Sequence, residues 1–452
     1  MSTASLPTEV ELAQALIAFN TVNPPGNERA CIEWLEAVLR NAGAETVVAG
    51  PSAERPSLVA RVSGRGQAPP LLLQGHVDVV GVEGQAWDRD PFGGEVVDGE
   101  LWGRGAIDMK GQVAVMLAAV LDLLSSGSRP AGDVILALVA DEEQGGEQGA
   151  RWLVEHRPEL FAGVRHAVGE WGAANWWIGD RRVYPIQVDE KRFCTLNATF
   201  HGPAGHAALP VANAAAARLG SFLSALDAMD LPVSVGPVPR LTLEGTRDLM
   251  PPQVQTAVDD LLAGRSDDTT PLASIGELGV VIQGGLRNTV AATVVRGGEK
   301  FNVVPSQVTA TLDCRLLPGS SPEDVISPLR ELPGEANIEI AYHDDVPMPG
   351  DHTLLRVLSD VLREEDPEAV VVPYLLFATT DGRHFARLGI QPYGFTPLRL
   401  PKGFSLLGLA HAGNERVPVE ALAFGRRVTR ALLERYETDP RTPLLTPERR
   451  SS

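Results

Sequence analysis

None of the apolar runs in the 452 residues approaches the ~20 residues needed to span a bilayer, so a membrane-spanning helix is not expected. The amino-terminal stretch MSTASLPTEVELAQ lacks a basic start followed by an apolar core. No secretory leader is read there, and a cytoplasmic location is the expectation. Cysteine is scarce: Cys31, Cys194 and Cys314 lie far apart and in no metal-type or redox-type pairing. They read as buried thiols in a reducing compartment. Basic residues are outnumbered, 39 Lys and Arg against 58 Asp and Glu, for a formal net charge of −19. Binding phosphate backbones needs a basic surface, which argues against nucleic acid as a partner. Such acidity serves solubility and does not by itself specify a cationic substrate. Internal repeats are also missing.

What is present is an ordinary globular composition, 44% hydrophobic and 21% charged, in a chain long enough for two or three domains. Thr8 and Glu11 form a capping-box pattern before an apolar face at Leu12, Leu16 and Ile17. NPPGNE (23–28) breaks that helix, and a second carries Ile32, Leu35 and Leu39 on one face. ETVVAG, SLVARVSG and LLLQG read as strands, and EVVDGELWG as a hairpin turning at Asp98-Gly99. A helix from Met109 to about Leu124, the buried strand DVILALVAD, a helix from about Gly146 and the strand HAVGE follow. This alternation predicts an α/β domain with a mixed, largely parallel sheet over 1–185.

The rhythm then changes. RFCTLNATFHG, VANAAAARLGSFLSAL, TVVRG, VTATLDCRL and NIEIAYHDD read as a smaller α+β domain over 186–346. Residues 231–285, rich in Pro, Asp and Gly, read as an insertion in it. The α/β pattern resumes over 347–438 with LLRVLSDVLRE, AVVVP and a closing helix from Val419, and 439–452 reads as a loose tail.

Polar groups collect where the strands end. His76 and Asp78 follow LLLQG; Asp108 follows the hairpin; Asp141, Glu142 and Glu143 follow DVILALVA; Glu170 follows HAV; His411 lies near the C-terminus in HAGNE. A lone His or Asp at a strand end is ordinarily a cap or turn residue. The set is different, because ligands of open α/β sheets bind beyond the carboxyl ends of the strands. Even four of these acids converging there with the two imidazoles would repel one another unless divalent cations were present. These ligand types suit zinc, with Co²⁺ or Mn²⁺ as substitutes. Residues i and i+2 share a face, so the Asp78 carboxylate is expected to accept from the far ring nitrogen of His76. Glu142 and Glu143 diverge, so one can bind metal while the other stays free as a base. Asp108 can bridge two ions.

GHVDVV, GRGAIDMKG, DEEQGGEQGA and HAGNE together resemble the dinuclear-zinc metallopeptidase and amidohydrolase family of aminoacylase, acetylornithine deacetylase, succinyl-diaminopimelate desuccinylase and glutamate carboxypeptidase. The resemblance runs in order along nearly the whole chain. It implies two Zn²⁺ per chain: His76 and Glu170 on one, Glu143 and His411 on the other, and Asp108 bridging through a residue followed by a cis peptide. It also implies Asp78 as the orienting carboxylate and Glu142 as general base and acid. FHGPAGHAALP resembles the motif of the family's lid and dimerisation domain, with His206 reaching across a homodimer to stabilise the oxyanion; Ala207 stands where the family usually has Ser. FNVVPSQVTATLDCRLLPG resembles the stretch supplying Asn302 and Arg315 to the substrate, and TTDGRHF places Thr380 on the substrate side. An ion pair with Asp313 is the structural alternative for Arg315.

The implied function is hydrolysis of an amide bond of an N-acyl amino acid or short peptide bearing a free carboxylate, through a metal-bound water activated by Glu142. A dipeptidase or carboxypeptidase is the enzymatic alternative. A catalytically silent metal-binding or ligand-binding member of the fold is the alternative from another class. Trp171, Trp176 and Trp177 either line an acyl pocket or pack beneath the lid.

Overall fold

The computed structural model describes residues 6–344 and 346–436; the tail expected at 439–452 lies outside them. Its main feature is a nine-stranded mixed sheet. Along the sheet run Glu45–Ala49, Ser57–Val62, Val134–Val139, Leu71–His76, His166–Gly169, Gln391–Gly394, Arg181–Glu190 and Val370–Leu376, with Trp176–Ile178 paired to Arg181–Glu190. The four strands from Val134–Val139 to Gln391–Gly394 form a parallel block. Antiparallel pairings flank it on both sides, so the sheet is less parallel than the sequence suggests.

The apolar runs are continuous because both faces of the block are covered. Leu71 and Leu73 enter the core beneath the helices Glu9–Ile17, Lys110–Ser126 and Val419–Arg435, while Leu72 enters the one beneath Ala150–His156. Val134, Leu136 and Leu138 alternate with Ile135, Ala137 and Val139 in the same way. Each such leucine contributes about 1.5–3 kcal/mol of burial. These strands are therefore rigid posts for whatever their ends carry. The Thr8 capping box forms, and the hairpin at Asp98-Gly99 turns with both residues at positive φ (52° and 80°).

A four-stranded antiparallel sheet of Thr289–Gly297, Gln307–Leu316, Arg192–His201 and Asn337–His343 forms the smaller α+β unit. Helices Ala215–Asp227 and Glu323–Arg330 contribute Phe222, Leu226, Val325 and Leu329 to its separate core.

Residues 231–285 depart from expectation. They form helices Pro237–Thr246, Pro252–Leu262 and Glu277–Gly284, whose Leu243, Val254, Val258, Leu278 and Val281 join the larger core, not the smaller one. The reason is the edge strand Val370–Leu376, whose apolar side needs cover. Helix Pro237–Thr246 lies on it, with the Thr242 hydroxyl donating to Pro373 O at 2.7 Å.

Candidate active site

Three adjacent parallel strands end side by side and deliver the first groups. His76 is the last residue of its strand and pairs in register with Val139. Two residues beyond Val139 the chain reaches Asp141, in the left-handed region at φ 73°, and turns into Glu142 and Glu143. Glu170 directly follows the third strand, His166–Gly169. Gly145 and Gly146, at φ 100° and 72°, then reverse the chain. A Cβ at Gly146 would lie 2.2 Å from Asp381 Oδ1, so glycine is required for approach as well as for conformation.

Asp108 and His411 come from the other side. Strand Arg416–Pro418 pairs with Glu100–Trp102, which draws HAGNE against GRGAIDMKG. Glu415 fixes this junction: its Oε1 accepts the N–H of Ile107 at 2.7 Å and of Asp108 at 3.1 Å, and its Oε2 accepts Arg104 at 2.6 Å. The Asp108-Met109 peptide is cis.

The result is two clusters that share one residue. His76, Asp108 and Glu170 form the first, and Asp108, Glu143 and His411 the second. His76 Nε2 lies 3.0 Å from Asp108 Oδ1 and 3.5 Å from Glu170 Oε2. His411 Nε2 lies 3.1 Å from Asp108 Oδ2 and 3.4 Å from Glu143 Oε2. The two oxygens of Asp108 thus serve different clusters.

The donor set fits divalent cations. Among the described residues, no Lys or Arg pairs with Asp108, Glu142, Glu143 or Glu170, and the buried atoms Glu143 Oε1 and Glu170 Oε1 have no hydrogen-bond partner. Burial pushes the Glu143 and Glu170 carboxyls above their usual range. Asp108 and Glu143 raise the His411 imidazole, so without cations the cluster needs protons to balance its charge. Burial also raises Glu142.

Asp78 differs from expectation. The Nδ1 of His76 faces the backbone carbonyl of Asp78 at 2.9 Å, while the carboxylate Oδ1 is 3.6 Å away. A donation from Nδ1 to that carbonyl leaves Nε2 free as the ligand atom. The carboxylate instead accepts the backbone N–H of Glu142 on Oδ1 and of Glu143 on Oδ2, both at 3.1 Å.

A cleft of about 620 Å³ opens over the clusters, lined by Asp108, Glu142, Glu143, Glu170, Arg315 and His411. Arg315 is in the cleft and in the anticipated ion pair at once. Its Nε and Nη2 hold Asp313 at 2.7 and 2.9 Å, and Nη1 lies 3.3 Å from Thr379 Oγ1. Thr380 does not line the cleft. It is buried, and its N–H and hydroxyl donate to Glu190 Oε2 at 3.2 and 2.9 Å; its neighbour Thr379 lines the cleft instead. His206 and Asn302 are exposed and outside the cleft of this chain, adjoining each other through Ala207 N–H to Asn302 O at 3.1 Å.

Sequence reading passed over several residues. Arg383 and His384 prop the Glu142 loop, with Arg383 Nη2 donating to Gly145 O at 2.8 Å and His384 Nε2 at 3.0 Å from the same oxygen. Both lie in the quoted TTDGRHF, as Glu415 does in HAGNE, but nothing in those strings marks what they support. A narrow apolar slot of about 30 Å³ shares Asp108, Glu170 and Trp171 with the cleft. Met109, Trp176, Leu398, Leu406 and Leu422 also line it, as does the buried Gln112, whose amide has no partner among the described residues. Trp177 does not line the slot; its indole N–H donates to Leu400 O at 3.2 Å.

Residues 72–435 match Peptidase family M20/M25/M40, and the chain belongs to that family. It is accordingly a metal-dependent hydrolase that binds divalent metal. Over 382 residues it is 27% identical to N-fatty-acyl-amino acid synthase/hydrolase PM20D1 of Xenopus tropicalis, covering 82% of this chain and 73% of that protein. A stretch of 213 residues is 34% identical to succinyl-diaminopimelate desuccinylase of Rhodospirillum centenum, 45% of this chain and 52% of the relative. Among solved structures, the M20 family metallo-carboxypeptidase Sso-CP2 from Sulfolobus solfataricus shares the fold, with a TM-score of 0.67 at 18% identity over 95% of this chain and 99% of that one. No helix among the described residues is long and apolar enough to cross a membrane.

Proposed function

We propose that the chain hydrolyses the amide bond of an N-acyl amino acid, or of a short peptide, that carries a free carboxylate. The observation that carries this reading is the pair of clusters sharing Asp108, with Glu142 and Arg315 on the wall of the same cleft. His76 and Glu170 would hold one ion, Glu143 and His411 the other, and Asp108 both; zinc suits these ligands best. Such ions supply Lewis acidity, acidifying a water and polarising a carbonyl. Glu142 binds no metal in this scheme. It takes the proton from the attacking water and gives it to the departing amine. Arg315, whose Nη1 also reaches Thr379 Oγ1, turns its Nη1 edge to the substrate carboxylate.

The slot at Trp171 and Trp176 supports placing the acyl group on the Glu170 side, away from Arg315. The first-described relative bears a name for action on N-fatty-acyl amino acids, which agrees with an acylated amino acid as substrate class. His206 and Asn302, exposed on the smaller unit, are assigned to the active site of a second copy in a homodimer.

The test is a release assay on chain reloaded with zinc, cobalt or manganese. Its panel holds N-acetyl, N-succinyl and long-chain acyl amino acids together with dipeptides. Metal-dependent release from the acyl amino acids, abolished by Glu142→Gln with metal content retained, is the expected result. Equal behaviour of wild type and variant across the panel would remove the reading, and release from dipeptides alone would narrow it to a peptidase.

A further inference from the structure

Asn23 lies in the NPPG stretch that follows the first helix, far in sequence from every metal-ligand motif. It is buried, at 3% exposure. Its backbone N–H donates to Val79 O at 2.9 Å, which fixes it beside the chain leaving His76. Its side-chain nitrogen donates twice, to Asp78 Oδ2 at 2.9 Å and to Asp141 Oδ1 at 3.1 Å.

Those two carboxylates flank the loop that carries Glu142 and Glu143. Asp78 receives the backbone N–H of both glutamates. Asp141 immediately precedes them and takes Gln148 N–H on Oδ2 at 2.9 Å. Arg55 closes the far end, with Nη2 on Asp141 Oδ1 at 2.9 Å and its fork on Glu28 at 2.7 and 2.9 Å. Among the described residues Asn23 is the one side-chain hydrogen-bond donor to the Asp78 carboxylate. One NH₂ group thus spends a hydrogen on each carboxylate. Aspartate at this position would offer no donor and would add a third negative charge to a buried pair, which is strongly unfavourable.

We infer that Asn23 is a positioning residue for the hydrolysis: by tying Asp78 to Asp141 it sets the pose of the loop that presents Glu142 and Glu143. The inference rests on the reading of Glu142 as base and Glu143 as ligand. It carries an asymmetry that general structural damage does not. Glu143 rides on this loop, whereas His76, Asp108 and Glu170 do not. Loosening the loop weakens one metal site and spares the other.

The test uses the full chain with Asn23→Asp, Asn23→Leu and the milder Asn23→Ser, whose single hydroxyl can serve only one carboxylate. Zinc is titrated into metal-free protein by calorimetry, and kcat and KM are measured on the zinc-loaded enzyme. The expected result is about a tenfold to hundredfold fall in kcat, with KM changed by less than about threefold, as for a sub-ångström to ångström misplacement of a catalytic group. One zinc-binding step weakens by about tenfold or more and the other holds, the scale of effect seen on losing a metal site's outer hydrogen bonds. Asn23→Ser falls between wild type and Leu. If Asn23→Ser, folded by thermal unfolding and circular dichroism, keeps wild-type kcat and both zinc steps, or weakens both steps alike, Asn23 has no such role. Should wild type release nothing from the substrate panel, the proposed function fails, while the zinc titration still decides the role of Asn23.

Discussion

The guanidinium of Arg315 is clamped to Asp313 through Nε and Nη2 and lies 4.5 Å above the ring of Phe193, leaving one edge toward the cleft. An arginine held on two sides costs little further ordering when a substrate docks. Arg315→Met is expected to lower kcat/KM by about tenfold to a hundredfold for substrates with a free carboxylate, the scale of a lost charge-assisted hydrogen bond. Amide-capped versions of the same substrates should be nearly insensitive. Steady-state kinetics on matched pairs checks the difference.

Metal removal should destabilise as well as inactivate. The buried, unpartnered oxygens of Glu143 and Glu170 and the shared Asp108 leave a charge cluster that metal would otherwise satisfy. At a free ion concentration about a hundred times Kd, one bound ion stabilises by about 2.7 kcal/mol. Chelated protein should therefore unfold at a lower temperature and regain its Tm on addition of zinc. Calorimetric scans with and without the ion give the answer, and unchanged Tm would count against the clusters as metal sites.

The slot should control acyl length. At about 30 Å³ it is far too narrow for a long chain to enter without rearrangement. Trp176→Ala is expected to raise kcat/KM for longer acyl groups relative to acetyl, at a stability cost of about 3–5 kcal/mol for the lost indole. Competition assays across an acyl-length series read the ratio directly.

Lys191 makes a pH prediction. It stands between the large sheet and the smaller one, and its ammonium donates to Gly284 O, Arg287 O and Thr289 Oγ1 at 3.1, 2.9 and 3.0 Å. Burial lowers its pKa to about 7, with the nearby Arg315 adding to the effect and Asp313 opposing it. An unfolded lysine titrates near 10.4. Between those values unfolding takes up a proton, so this residue's contribution to stability rises with pH from about 7 to 10 and is flat below. The stability difference between wild type and Lys191→Met should grow over that window. Denaturant melts of both proteins from pH 6 to 10 measure it.

Of the candidate ligands, His76, Glu143 and Glu170 were legible because each follows a strongly patterned strand, whereas Asp108 and His411 stood out through the motifs GRGAIDMKG and HAGNE. LLLQGH and VILALV announce buried strands by composition, and strand ends have a known destination. The supporting residues gave no such cue. Asn23, Arg55 and Asp141 meet across separations of 32 to 118 residues, and NPPG reads locally as no more than a helix breaker. Thr379 and Thr380 are adjacent and chemically identical, so only the fold distinguishes the one lining the cleft from the one bound to Glu190. The helices of 231–285 carry ordinary apolar faces, and a face does not name the core it will join.

The helices of 231–285 also change how the smaller unit is hung. Because they rejoin the larger core, and setting aside Leu317, which reaches the larger core from within the smaller unit, the chain passes between the two cores four times: between Val188 and Cys194, Leu231 and Val233, Leu286 and Val290, and Ile338 and Leu354. A body suspended from one thread can spin freely; one suspended from four can swing but hardly twist. A protease that snips a single passage would leave both halves still joined.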